Sequence, residues 1–103
     1  MLIILSKSPR AENYGSILEI ARKAAENGEK VAVLHIQDAC IATTINEYCD
    51  KLAENKIDIY ALKVDCEARG LVGKVKEKVR IIDYKQWVKL VLVEHKNIIS
   101  WAS

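Results

Sequence analysis

The stretch Ile57-Asp58-Ile59-Tyr60-Ala61-Leu62-Lys63-Val64-Asp65-Cys66-Glu67-Ala68-Arg69-Gly70 decides how this chain is read. Ile57–Leu62 is rich in β-branched and aromatic residues and reads as a strand. The strand is expected to break at Lys63 to Asp65. A short helical turn then follows, with Asp65 as its cap, Cys66 near its first position and Gly70 closing it. A thiol just past the carboxyl end of a strand stands where α/β proteins place their chemistry. A helix N-terminus also presents partly positive N–H groups, which favour a thiolate.

The same strand-then-helix rhythm extends in both directions. Met1–Leu5 is a continuous apolar run, suited to a strand covered on both faces. Ser8 and Pro9 form a cap and first-turn pair for a helix carrying Tyr14, Ile17, Leu18, Ala21 and Ala25 at helical spacing, stopped by Asn27-Gly28. Val31–Ile36 is the second strand. Asp38 is positioned to cap a helix whose apolar stripe is Ile41, Ile45, Tyr48, Cys49 and Leu52. Val79–Ile82 is the fourth strand. Asp83 with Gln86 forms a capping box for a helix burying Tyr84, Trp87, Val88 and Val91, and Ile98–Trp101 is a short fifth strand. Strands alternating with helices predict βαβ units with right-handed crossovers. The fold class is therefore α/β, a three-layer α/β/α arrangement on a small, mostly parallel sheet of about five strands.

Composition narrows the function. A chain of 103 residues, half of them hydrophobic, predicts one domain spanning residues 1–103. No apolar run is long enough for a membrane span, and Met1–Leu5 is too short for a signal peptide, so a cytoplasmic protein is expected. The net charge of +2 comes from well-mixed acids and bases, which argues against direct nucleic-acid binding. One basic stretch, Lys74, Lys76, Lys78 and Arg80, reads as a solvated face, with an acidic docking partner as the alternative. Neither a Gly-x-Gly-x-x-Gly motif nor a P-loop is present, so no nucleotide cofactor is expected. The cysteines lack a Cys-x-x-Cys pair and finger spacing to His35 or His95, so no metal site is expected either.

The candidate site residues are cysteines. Cys49 lies on an apolar helix stripe and reads as core. Cys40, in a first helical turn, is a weaker candidate for a functional thiol, because the Asp38 charge opposes the helix dipole there. Cys66 is the stronger candidate, flanked by Asp65 and Glu67 but offset by Lys63 and Arg69. His35 reads as a strand residue with a satisfied hydrogen bond and His95 as an exposed helix-end residue. Trp101 is expected to bury, either in its own domain or against a neighbouring subunit.

These residues carry a resemblance. Ser6-Lys7-Ser8-Pro9, Gln37-Asp38, Tyr60-Ala61-Leu62 with Asp65, Ala68-Arg69-Gly70-Leu71, Ile82-Asp83-Tyr84, Trp87-Val88-Lys89-Leu90 and the closing Trp101 occur in the order seen in the DsrH/TusB family of small sulfur-relay subunits. The resemblance implies a DsrE/F/H-like fold and assembly with related DsrE/DsrF- or TusC/TusD-like subunits, with a homo-oligomer as a further possibility. It implies transfer of persulfide sulfur from a TusA-like donor to a TusE-like acceptor for 2-thiouridine formation at the tRNA wobble position. Related work in dissimilatory sulfur oxidation and a stand-alone homo-oligomeric binding module are the alternatives. The resemblance further implies a member of a sulfurtransferase complex that is not catalytic on its own. The family's possible first-helix cysteine falls on Leu18 here, and the nucleophile position of TusD-like subunits falls on Leu62. Cys66 is therefore not a transferred catalytic residue, and its candidacy rests on local chemistry.

Overall fold

The computed structural model describes residues 1–7 and 11–101. The expected Ser8–Pro9 start of the first helix lies outside the described residues, as do the side chains of Tyr14 and Trp101.

Five strands, β1 (Leu2–Leu5), β2 (Ala32–His35), β3 (Asp58–Leu62), β4 (Val79–Ile82) and β5 (Ile98–Trp101), form one sheet in the order β4-β3-β2-β1-β5. Every pairing is parallel. The central strands are apolar on both faces, and Leu2, Ala32, Val33 and Leu34 are fully buried.

The helices are α1 (Ala11–Glu26), α2 (Asn46–Glu54), α3 (Lys63–Ala68) and α4 (Tyr84–Lys89). A 3-10 segment, Gln37–Thr44, precedes α2, and a π-helical turn, Leu90–Glu94, continues α4. The first three crossovers step steadily from β1 to β4. The last one leaps back across the sheet to the far side of β1. With right-handed connections, that reversal sends α4 to the opposite face from α1, α2 and α3. Two cores follow. One packs Ile17, Ala21, Tyr48, Cys49, Leu52 and Cys66 against Ile3, Val33 and Ile59. The other packs Leu90 and the half-buried Trp87 against Leu2, Leu34, Tyr60 and Ile82.

Helix ends follow local chemistry. Gly28 and Gly70 adopt left-handed φ values of 85° and 65°. Each closes its helix with the paired backbone bonds of a Schellman turn: Glu29 N to Ala24 O and Gly28 N to Ala25 O, and Leu71 N to Cys66 O and Gly70 N to Glu67 O. The Asp83–Gln86 capping box forms in both directions, at 2.8 and 3.0 Å.

Several expectations need correction. Helix α3 begins at Lys63 directly behind the strand, so Cys66 is its fourth residue, and Asp65 does not cap it. Asp38 is not a cap: it lies inside the 3-10 segment Gln37–Thr44, whose N-cap is Ile36 with no side-chain cap bond. At three residues per turn this segment breaks the expected stripe, leaving Ile41 44% and Ile45 37% exposed. His95 is buried, with Nδ1 3.3 Å from the Met1 amino nitrogen. Tyr84 and Val88 are exposed, and Trp87 is only half-buried. A single helix covers the second face of the sheet, too little to enclose its own outer side chains.

Candidate functional site

In an open parallel sheet, the crevice lies at the carboxyl ends of adjacent strands whose connections leave to opposite faces. Here those strands are β3, followed by α3, and β4, followed by α4. A cleft of about 140 Å³ occupies this place, lined by Leu62, Lys63, Val64, Glu67, Asp83 and Tyr84. No thiol lines it. Leu62 is among its walls.

Cys66 points the other way. Its residue is fully buried in the first core. Burial raises its pKa, with Asp65 adding to the shift and Cys40 and Arg69 opposing it. The expected exposed, acidified thiol is not what the fold makes at this position, because the 3-10 segment lies over it. Cys40 is also fully buried, and its pKa is pushed up to about 12, first by burial. Cys49 is core as expected, with its pKa raised to about 11, again first by burial.

Cys40 and Cys66 lie in the same core, and the Cys40 thiol donates to the His35 carbonyl at 3.5 Å. Two polar bridges link the 3-10 segment to α3 and its C-terminal end. Asp65 accepts from the Gln37 backbone N–H at 2.6 Å, and Arg69 meets the Asp38 carboxylate at 3.0 Å. The Gln37 bond holds a residue with a left-handed φ of 50°, unusual for a side-chain-bearing residue. Nothing in the linear sequence signals the burial of both thiols in one core, since it depends on how Gln37–Thr44 folds back toward α3.

A second feature escaped the sequence reading. Tyr84, Trp87, Val88, Val91, Leu92, Ile4 and Ile98 line an apolar groove of about 490 Å³. Leu92 is 76% and Val93 73% exposed. The π-helical turn shifts the helical phase so that Leu90 turns inward while Leu92 and Val93 turn out. Tyr84 and Trp87 stack with ring centroids 6.0 Å apart. A contiguous exposed apolar face of this kind marks an interaction surface. A cavity of about 690 Å³ lies beside Lys74, Lys76 and Lys78. Its charge is partly met by Asp50, which pairs with Lys78 at 2.9 Å.

Among the described residues, no group of three or more His, Cys, Asp or Glu side chains is arranged to hold a metal ion. No helix among them is long and apolar enough to cross a membrane.

The family model for DsrH-like proteins matches residues 7–97. The chain belongs to the DsrH family. Among its relatives in that family, the protein TusB of Escherichia coli K12 is 31% identical over 102 residues, covering 98% of this chain and all of the relative. The TusB protein of Pectobacterium atrosepticum is 32% identical over the same length and coverage. The fold extends to more distant structures. The crystal structure of the ychN protein from E. coli superposes with a TM-score of 0.78 at 13% identity, covering 97% of each chain. A conserved protein from Bacteroides thetaiotaomicron gives 0.77 at 13% identity, over 97% of this chain and 93% of that one. DsrH membership makes this chain a sulfur-relay subunit.

Proposed function

We infer that this chain is a docking subunit of its relay complex, holding sibling subunits in place and lending no sulfur-carrying thiol of its own. Persulfide relay needs an exposed, low-pKa thiolate and a surface that brings two thiols together. The observation that carries the reading is the division of those features here. The switch-point cleft is lined by Leu62 and Lys63 without a thiol, while the α4 side offers an exposed apolar groove. The siblings are TusC- and TusD-like subunits. Sulfur passes through them from a TusA-like donor to a TusE-like acceptor and on to 2-thiouridine at the tRNA wobble position. Kinship with TusB proteins favours that destination over sulfur oxidation.

Two measurements test this. Co-expression with TusC- and TusD-like partners should give a stable complex, lost in Val88→Asp and Leu92→Asp while the monomer stays folded. A homo-oligomer that ignores those partners would replace this reading with the stand-alone binding module. In cells lacking their own TusB-type subunit, Cys66→Ala should restore 2-thiouridine as well as the unmodified chain. Sulfur gained on Cys66 from a persulfide donor, together with failure of Cys66→Ala to restore thiolation, would make Cys66 a carrier.

A further inference from the structure

Helix α4 and its π turn are apolar on more than the side that meets their own sheet. From Trp87 to Val93, Lys89 is the single residue that is not hydrophobic. Trp87 and Leu90 pack inward, while Val88, Leu92 and Val93 are exposed. A helix apolar around most of its circumference is one that is buried on more than one side. Its two flanks also differ. On the β4 side, a groove of about 520 Å³ is finished for water by Arg80, Gln86, Lys89 and Glu94. On the β1 and β5 side, the groove of about 490 Å³ has no charged residue in its lining, and Ile4 and Ile98 are part of it. Leu2 pairs with Ile98 and Ile4 with Ser100, which puts these four side chains on the α4 face of the sheet. Leu34, Tyr60 and Ile82, on β2, β3 and β4, share a buried cluster with Leu90. The helix therefore sits toward β4, and Ile98 on β5 is left 42% exposed. Among the described residues, an apolar strip of sheet thus lies uncovered beside a helix whose own outer face is uncovered.

We propose that two copies of this chain pair face to face, the α4 of each lying along the uncovered β1–β5 strip of the other. The occupant is a second copy because one molecule carries both halves of the contact. Its helix ridge needs an apolar floor, and its apolar floor needs a helix. A two-fold axis between the two helices meets both needs at once, as an isologous interface requires. The two sheets then enclose a single layer of two helices. Tyr84, Val88, Leu92, Val93 and Ile98 expose roughly 500 Å² on each copy, so pairing removes about 1,000 Å² from water, the lower bound for a specific contact. A contact of that size dissociates on dilution. The pairing rests on the reading of this groove as a docking surface, and a sibling subunit of the same layout displaces the second copy from it.

The test mixes full chains carrying Val93→Cys with full chains carrying Ile98→Cys and adds a short bis-maleimide under native conditions. Cys40, Cys49 and Cys66 are buried and are spared. The expected product is a dimer joined between positions 93 and 98. Ile98→Cys alone should lose that product, because the two Ile98 positions lie on opposite sides of the helix pair. Sedimentation of the unmodified chain should show its mass rising from one chain toward two with concentration. A monomer at every concentration, with no cross-link in the mixture, overturns the pairing. So does a product that is strongest with Ile98→Cys alone, which reports edge-to-edge contact of β5. Adding TusC- and TusD-like partners separates the pairing from the docking reading. Their complex should form with loss of the cross-link. A complex that forms while the chain alone never pairs overturns the pairing and leaves docking standing. A cross-link that persists in full beside the complex supports the pairing and overturns docking through this groove.

Discussion

His35 shows how one buried side chain sets a pH limit on the fold. Its Nδ1 lies 2.8 Å from the Tyr60 carbonyl, which can only accept, so Nδ1 carries the proton. Nε2 then accepts from the Tyr48 hydroxyl at 2.8 Å. Burial pushes the His35 pKa down to about 4 from the ordinary 6.5. The unfolded chain takes up this proton near 6.5, and the folded chain resists until about 4. The stabilising contribution is therefore complete above 6.5 and is lost as pH falls toward 4. His95, lowered first by burial and then by the N-terminal charge, works in the same direction. The expected outcome is a Tm that declines across this window while the His35 ring resonances stay in the neutral form; a flat Tm profile would contradict it.

Among the elements, helix ends offer the cleanest comparisons. The Asp83–Gln86 box satisfies two backbone groups at the start of α4, and Asp83→Ala should cost about 1 kcal/mol in chemical denaturation. Helix α2 closes with the same paired bonds as α1 and α3, Ile57 N to Leu52 O and Lys56 N to Ala53 O, but places Lys56 at φ 59°. Lys56→Gly relieves that conformation and should stabilise the chain by about 1 kcal/mol. A lower denaturation midpoint in that variant would show that the lysine side chain contributes more than its backbone strain costs. These ends also show what a linear sequence reveals. Asn27-Gly28, Gly70 and Asp83–Gln86 were legible because their chemistry is local, and so were five β-branched strands separated by helices. The 3-10 segment at Gln37–Thr44 and the π turn at Leu90–Glu94 were not. Both change helical phase without changing composition, and phase alone decides whether Ile41, Tyr84 or Val88 points into the core. Cys66 was visible as a strand-end thiol, but its burial depends on the 3-10 segment folding over it.

For the molecule as a whole, the imbalance between the two faces of the sheet dominates. Three helices and the 3-10 segment seal one face, and α4 with its π turn covers the other alone. The outer side of that cover keeps Tyr84, Val88, Leu92 and Val93 in water. The isolated chain should therefore self-associate as its concentration rises, and paired Leu92→Lys and Val93→Lys changes should hold it monomeric in light scattering. Because these side chains make little contact within the fold, the paired change should alter stability by no more than about 0.5 kcal/mol per site. A large fall in Tm would mean that they belong to the core after all.

The position of β1, paired on one side with β2 and on the other with β5, orders events during synthesis. Until residues 98–101 leave the ribosome, β1 has an open edge able to recruit another chain. A nascent molecule of this topology depends on β5 to cover that edge, and a pause before residues 98–101 are made prolongs the interval in which wrong pairings form.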